Sequence, residues 1–250
     1  MAPRKLITKR ARKATVGEGS SAASQAEIEF YGHHFQSEEH ECCFEAIKDW
    51  SFLKERRVQL RTRWTQLTEP MAKYDPEIVM EFYANAWPME EGVMDKRSWV
   101  QGQWVPYDED AINQFLGHPL VLEKGQHCEY TKRRSQVSGR RVRIMRTSMT
   151  TLTQIWMMLL LNNILPSDHN YDLSLPKFQL VYAILTQISV HVAQLISDAI
   201  YQFVGIAPLR HLVDPKKSNR ALRFPALITG LFQFYVVPGY AHKLIRPPIN

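Results

Sequence analysis

The stretch from Trp99 to Gly117, "WVQGQWVPYDEDAINQFLG", constrains the fold more than any other part of the sequence. Large apolar residues alternate with polar ones on both sides of Gln101 and Gly102, a pattern typical of a hairpin that turns at this dipeptide. A lone hairpin is only marginally stable in water, so this one must pack against helices. We therefore predict that Trp99 and Trp104 are buried anchors that pack on the helices beside the hairpin.

A helix is predicted to follow the hairpin directly. Asp108 is a typical N-cap residue, and Glu109 and Asp110 complement the positive end of the helix dipole. Gly117 suits the position just after the last turn, where a left-handed backbone is common. Every residue of this stretch therefore has a structural role, which favours a scaffold over a site.

Caps and apolar runs indicate further helices. Ser37 and Asp75 are placed as N-caps, and Pro76 suits the first helical position, where its missing N–H costs nothing. The apolar run from Lys177 to Val204 predicts one long, buried central helix. The fold class predicted is mainly α (α+β with a small β-hairpin), and a single helical domain is expected over residues 27–250.

Two uncharged runs, Thr147 to Leu165 and Phe178 to Ser197, approach the length of a membrane span. The second contains several Gln, Ser, Thr and His residues, which are too polar for lipid, and the first contains five Thr or Ser residues and ends in two asparagines. We therefore expect two buried core helices and no membrane partner.

The stretch "LKERRVQLRTRWTQL" is predicted to be a strongly basic helix. It carries a narrow apolar stripe made of Val58, Leu60, Trp64 and Leu67. The basic side of such a helix fits either a nucleic-acid surface or an ordinary solvated face.

Residues 1–26 are predicted to be a disordered basic tail, because almost no bulky apolar residue is available there to bury. The tail contains "KRARK", with basic side chains at Lys9, Arg10, Arg12 and Lys13. Such a cluster suits nuclear import receptors or nucleic acids, although a merely solvated tail has the same composition. The expected location is the nucleus, or otherwise the cytoplasm. No apolar run follows the basic residues, so a secretory signal peptide is not expected.

A second basic segment lies in the middle of the chain. It places seven positive charges within fifteen residues, with no acidic residue among them, at Lys132, Arg133, Arg134, Arg140, Arg141, Arg143 and Arg146. The formal net charge of +6 also favours an acidic partner. A segment this basic should lie in solvent, where it could neutralise phosphates. Nucleic-acid binding favours aromatic residues beside basic ones, and Tyr130 alone lies nearby in the sequence.

Carboxylate-based nuclease chemistry needs acids that converge on Mg²⁺. Asp75 and Asp108 are already explained as caps. The acids that follow Glu129, which are Asp168, Asp172, Asp198 and Asp214, are not expected on a strand. We predict no catalytic residue and no enzymatic activity.

Metal binding and nucleophilic catalysis also find little support. A cluster of possible zinc ligands contains His33, His34, His40, Cys42 and Cys43, but it has no C-x-x-C pair and no second half-site. Cys128 lies near His118 and His127 without a helix N-terminus to activate its thiol. His191 is expected to be a hydrogen-bonded core histidine. No metal and no cofactor are predicted.

Several motifs taken together resemble a known family. They are "FYANAW", "WVQGQWVPYDEDAINQFLG", "LPSDHNYDLSLPKFQLVYAILTQ" and "RFPALITGLF", preceded by "FQSEEHECCFEAIKDWSFLKERRVQL". The set is similar to the putative plant transposon protein domain, found in open reading frames associated with plant retroelements, over residues 44–240. The family often has a charged residue where Gln101 stands here. The resemblance implies a transposon origin and supplies no catalytic residues.

The expected function is that of a non-enzymatic, retroelement-derived protein that binds nucleic acid through its basic segments, in a Gag-like manner. One alternative is a nuclear protein-interaction or scaffold module that binds no nucleic acid and has protein partners or associates with itself. A degenerate transposase-type enzyme is the third possibility.

Overall fold

The computed structural model describes residues 34–60, 62, 64–86, 95–117, 128–130, 143–167, 171–206 and 221–236. The helices are α1 (Glu38–Ile47), α2 (Thr65–Thr68), α3 (Pro76–Asn85), α4 (Glu109–Leu116), α5 (Thr151–Leu159), α6 (Leu175–Leu185), α7 (Val192–Ile206) and α8 (Pro225–Val236). The strands are β1 (Ser51–Leu53), β2 (Arg97–Val100), β3 (Gln103–Pro106), β4 (Arg143–Met145), β5 (Asp172–Ser174) and β6 (Ala221–Arg223). A 3₁₀ turn spans Arg146–Ser148, and a π-helical turn over Leu160–Ile164 continues α5.

One hydrophobic core joins these elements, and the fold is mainly helical, as predicted. Helix α3 lies near its centre, where it packs against α1, the hairpin strand β2 and α8. Helix α4 packs on α7 and α8. Within the described residues, the strands form three separate two-stranded ladders. These ladders connect neighbouring helices and do not form a sheet layer.

The hairpin of β2 and β3 is confirmed, with Trp99 opposite Trp104. Gln101 and Gly102 both have positive φ, at 47° and 80°, which is the backbone twist that two-residue hairpins favour. Ser98, Val100 and Val105 are the residues that β2 and β3 bury. The prediction that Trp104 is a buried anchor is wrong, because its side chain is 43% exposed on the opposite face of the ribbon.

The caps of α3 and α4 are confirmed. The Asp75 carboxylate accepts the backbone N–H groups of Glu77 and Ile78, and the Asp108 carboxylate accepts that of Ala111. Helix α4 ends at Gly117, whose φ is 72°. These three residues satisfy helix ends with local contacts, so they could be recognised from local sequence.

The single helix predicted from Lys177 to Val204 is wrong, since the chain forms α6 and α7 with a break between them. Gln187, at φ 58°, closes α6 in a left-handed conformation. The N–H groups of Gln187 and Ile188 then donate to the carbonyls of Ile184 and Ala183, which is the hydrogen-bond pattern of a Schellman motif. Glutamine occupies the position where glycine usually signals this ending.

The basic helix predicted around Val58 is also wrong. Strand β1 comes first, an irregular extended segment follows, and only the short helix α2 is helical. Val58 donates its N–H to the carbonyl of Thr68 at 2.8 Å. The segment therefore satisfies its backbone through tertiary contacts that no local pattern reveals.

The parallel pair of β1 and β6 joins two distant parts of the chain. Just beyond β1, the carboxylate of Glu55 accepts the N–H groups of Ala226 and Leu227 at 3.1 and 2.9 Å, so it caps the first turn of α8. Burial raises the pKa of Glu55, and the two backbone N–H groups oppose that shift. Glu55 thus fixes α8 against the strand pair.

The first uncharged run forms α5 and the π-helical turn in the core, as expected, whereas the second is divided between α6 and α7. Within the residues that the structure describes, no helix combines the length and the apolar character that crossing a bilayer requires. The predicted tail over residues 1–26 lies outside the described residues.

Candidate nucleic-acid interface

Two of the seven basic residues predicted to bind nucleic acid lie in the described structure. Arg143 begins β4 and Arg146 begins the 3₁₀ turn that follows it. The other five lie outside the described residues, at Lys132, Arg133, Arg134, Arg140 and Arg141. The predicted import cluster of Lys9, Arg10, Arg12 and Lys13 also lies outside them.

The ribbon of β4 and β5 determines which way this basic chain faces. Ile144 stands opposite Leu173, which is fully buried, so this pair faces the core. Neighbouring residues of a strand point to opposite faces. Arg143 and Met145 consequently lie on the outer face, where both are exposed. The prediction that the segment lies in solvent holds for both of its described arginines.

An acidic residue meets this face from the other strand. Nη1 of Arg143 donates to both carboxylate oxygens of Asp172, at 3.1 and 2.9 Å. Although the basic segment contains no acidic residue, the fold brings Asp172 into contact with it. Asp172 also lies on a strand, contrary to expectation. An exposed ion pair of this kind contributes at most about 1 kcal/mol. The pair lowers the net positive charge at Arg143. The side chain of Arg146, in the 3₁₀ turn after the ribbon, contacts the uncharged amide of Gln154 instead.

Arg146 is hydrogen-bonded through its backbone to a residue with an exposed aromatic ring, which the sequence did not suggest. Its backbone N–H donates to the carbonyl of Tyr171 at 3.0 Å, and the Tyr171 side chain is 80% exposed. Tyr130, the aromatic residue near the basic segment in sequence, is instead buried, and its hydroxyl donates to the carbonyl of Pro176. The face therefore has an aromatic partner, supplied by a residue 25 positions from Arg146.

A third arginine reaches the same place from the first basic stretch. Arg56 and Arg146 line one small pocket of about 50 Å³. The backbone of Arg56 is fixed by Asn163, whose Oδ1 accepts its N–H at 2.9 Å and whose Nδ2 donates to its carbonyl at 2.7 Å. Two basic stretches about 90 residues apart thus converge on one surface. We call the two arginines of this pocket, Arg56 and Arg146, the arginine face, and include Arg143, three residues before Arg146, and Tyr171, bonded to the Arg146 backbone.

Sequence reasoning missed Asn163, Tyr171 and the meeting of Arg56 with Arg146, because each depends on a tertiary contact. The π-helical turn is what points Asn162 and Asn163 to different neighbours. Asn163 bonds to Arg56 and Leu67, whereas Asn162 bonds back to Met158 within its own helix. The sequence signal that could have identified Asn163 is the Asn162–Asn163 pair after an apolar helix. Two adjacent polar residues at such a position indicate buried side chains with separate hydrogen-bond partners.

A buried acid lies beneath the hairpin turn. Oε1 of Glu81 accepts the N–H of Gln101 at 2.7 Å and lies 3.5 Å from Nδ1 of His34. Its Oε2 is buried, and no hydrogen-bond partner for it exists among the described residues. Burial raises the pKa of Glu81, opposed by the bond from Gln101 and by the charge of His34. The carboxyl is enclosed, and its role is to hold the hairpin on α3.

The candidate metal ligands are dispersed or occupied in the described structure. His40 is buried with its Nδ1 2.9 Å from the Ser37 hydroxyl. Burial raises the pKa of the Cys43 thiol to about 11, which leaves it protonated at neutral pH. Across the described ranges, no three His, Cys, Asp or Glu side chains are grouped so that they could hold a metal ion. His33 lies outside those ranges.

Two further predictions concern histidines. His191 is a buried core histidine, as expected, and its Nδ1 accepts the N–H of Gln194 at 3.0 Å. Its Nε2 lies 3.5 Å from the Asn113 amide nitrogen. Cys128 is buried, and its proposed neighbours His118 and His127 lie outside the described residues.

These features define the class: a mainly helical domain, clipped by short strand pairs, with arginines gathered on one face. The family described as "Putative plant retrotransposon-related domain" matches residues 60–238, and the chain belongs to this family. The match confirms the resemblance to plant retroelement-associated proteins and makes the protein retroelement-derived. No curated protein and no solved structure matches the chain significantly.

Proposed function

We propose that this retroelement-derived domain binds nucleic acid without enzymatic activity, in a Gag-like role, through the arginine face. The observation that carries the proposal is the convergence of Arg56 and Arg146 on one pocket, with the exposed Tyr171 hydrogen-bonded through its carbonyl to the backbone of Arg146. Guanidinium groups present a planar fork of donors that matches phosphate oxygens. An exposed aromatic ring beside them offers a platform on which an unpaired base stacks.

The arginine face suits a single strand better than a duplex. Stacking on Tyr171 requires a base whose face is free, as in single-stranded DNA or RNA. Arg143 contributes less than Arg56 and Arg146, because Asp172 already compensates its charge. The five neighbouring basic residues that precede Arg143 extend the positive charge of the same segment.

A salt titration tests the proposal. Binding of fluorescent single-stranded DNA and RNA is measured by anisotropy at several salt concentrations for the wild type, Arg56→Ala and Arg146→Ala. Each lost phosphate contact should weaken binding and reduce the slope of log affinity against log salt by roughly 0.7. Arg57→Ala is the matched control, since Arg57 is exposed next to Arg56 but its Nη2 lies 3.2 Å from the carboxylate of Glu69.

The stacking contact needs a separate variant. Tyr171→Ala should weaken binding of single strands, whereas Tyr171→Phe should retain it because the ring is kept. Tyr182→Ala is the control, because Tyr182 is also exposed but lies on α6. Equal affinity of the wild type, Arg56→Ala and Arg146→Ala would contradict the proposal.

A protein-interaction module is the second candidate, and one observation favours it. Trp104 is exposed on the hairpin, with Trp99 packed edge-on against it at 5.3 Å and the Arg97 guanidinium 5.0 Å from its ring centre. Exposed tryptophan and arginine are frequent anchors of protein interfaces. Loss of a protein partner in Trp104→Ala, with no nucleic-acid binding by the wild type, would establish this candidate instead.

Absence of catalysis and nuclear location are parts of the same proposal. Asp75 and Asp108 act as caps, which supports a domain without an acid cluster for Mg²⁺. Purified protein should therefore leave supercoiled DNA intact with Mg²⁺ or Mn²⁺, and nicking would contradict this. Replacing Lys9, Arg10, Arg12 and Lys13 with alanine should reduce nuclear accumulation of a fluorescent fusion.

A further inference from the structure

The pocket shared by Arg56 and Arg146 is more specific than a basic surface requires. We propose that it binds the terminal phosphate of a nucleic-acid strand, a phosphomonoester, in preference to the internal phosphodiesters. The inference rests on the proposed function in one respect, namely that the phosphate belongs to a nucleic-acid strand. The argument that the pocket binds a phosphomonoester depends only on the residues of the pocket.

The charges of the pocket match a terminal phosphate. Arginine stays protonated at all physiological pH values, so the two guanidinium groups supply two positive charges. A terminal phosphomonoester carries close to two negative charges near neutral pH, because its second pKa is near about 6. An internal phosphodiester carries one. Both arginines can also donate paired N–H groups to oxygens of the same phosphate.

The shape of the pocket favours a strand end as well. Its inner wall is made of Met157, Leu161 and Asn162, all of which are buried in the core. An internal phosphodiester is bonded to a sugar on each side, so its site needs two openings for the strand. A terminal phosphate is bonded to one sugar, so its site needs one opening. A pocket of about 50 Å³ closed on its inner side suits the second case.

The backbones of both arginines are held before any ligand arrives. Asn163 bonds to the N–H and the carbonyl of Arg56, and the N–H of Arg146 is bonded to Tyr171. Nε of Arg146 also lies 3.4 Å from the Gln154 amide oxygen. The two backbones and the side chain of Arg146 therefore lose less freedom on binding than they would on a flexible loop, which favours affinity for a small ligand.

The test compares oligonucleotides of one sequence that end in a 5′-phosphate, a 3′-phosphate or hydroxyl groups alone. We expect roughly tenfold tighter binding of at least one phosphorylated form, the change given by one added charge-assisted contact. Arg56→Ala and Arg146→Ala should abolish the difference, and Arg57→Ala should keep it. A parallel titration with inorganic phosphate follows the arginine Nε–Hε signals by NMR.

The outcomes separate this inference from the proposed function. Equal binding of phosphorylated and hydroxyl ends would overturn the terminal-phosphate site while nucleic-acid binding stands. A preference that survives in Arg56→Ala would overturn it too. Inorganic phosphate that shifts arginine signals in the wild type but not in Arg56→Ala, without binding of any oligonucleotide, would support the site and contradict the proposed function.

Discussion

Asn163 holds Arg56 by both polar groups of its backbone, accepting from its N–H at 2.9 Å and donating to its carbonyl at 2.7 Å. The amide nitrogen of Asn163 also donates to the carbonyl of Leu67. A single buried side chain thereby replaces the strand partner that this extended segment lacks. It connects the π-helical turn to the arginine face.

Asn163→Ala should lower the free energy of unfolding by about 3 kcal/mol, because it leaves several buried backbone groups without partners. It should also weaken nucleic-acid binding, since Arg56 loses its fixed position. Chemical denaturation and anisotropy measure the two effects. Asn162→Ala is the control for stability alone, because Asn162 also lines the pocket of Arg56 and Arg146. Among the described residues its side chain bonds to Met158 within its own helix, so its loss should cost about 1 kcal/mol. Equal losses of stability in the two variants would contradict the special role of Asn163.

Gly230→Ala should destabilise the protein although alanine is the better helix former. A Cβ at Gly230 would lie 2.7 Å from Cζ of Phe115, which is buried between α8 and α4. Overpacking of this kind costs about 1–3 kcal/mol, more than the gain in helix propensity of about 1 kcal/mol. The thermal midpoint of Gly230→Ala should fall, and Phe115→Leu in the same chain should restore part of it. A rise in the midpoint of Gly230→Ala would show that Phe115 moves aside freely.

The two faces of the hairpin should differ in their contribution to stability. Trp104→Ala should lower the free energy of unfolding by about 1–2 kcal/mol, through its ring contact with Trp99 and its cation–π contact with Arg97. Tyr107→Ala, which empties a fully buried site, should cost about 3–5 kcal/mol. Urea denaturation of both variants measures the order. A larger loss for Trp104→Ala would restore the interpretation of Trp104 as an anchor.

Stability should decrease with pH through the titration of Glu81. Its pKa is raised in the folded state from the ordinary value of 4.5, so the folded protein retains a proton that the unfolded chain releases. The stabilisation is complete below 4.5 and is lost as the pH rises through the raised pKa of the folded state. Glu81→Gln cannot titrate and keeps an acceptor for Gln101. Its free energy of unfolding relative to the wild type should therefore rise as the pH increases from 4.5 through the raised pKa of Glu81.

His34 faces the same carboxylate and is itself an ionisable side chain. The effect of Glu81→Gln is therefore measured again in a His34→Gln background, where the carboxyl is the only member of the pair that titrates. The rise should persist there. Parallel stability curves with and without Glu81→Gln would refute a raised pKa at Glu81.

Local chemistry explains which parts of the fold the sequence could predict. The hairpin turn at Gln101 and Gly102 and the cap at Asp108 are satisfied by atoms a few residues away, so their residue types identify them. The break after α6 was missed because Gln187 adopts a left-handed conformation without being glycine. The convergence of Arg56 with Arg146 was missed because it depends on Asn163 and on the packing of α5. The basic segments were recognisable as site candidates by their charge, but not which of their side chains meet.

The contact between Glu55 and the start of α8 has a temporal consequence for synthesis. Glu55 and Ala226 are 171 positions apart. At about 5–20 residues per second, the ribosome needs roughly 10–30 seconds to deliver the second partner after the first. During that interval β1 has no β6 and the carboxylate of Glu55 has no helix to cap. The nascent domain therefore stays open between β1 and α8 until α8 has emerged, so a chaperone that shields apolar surface would have its greatest effect before residue 226 leaves the ribosome.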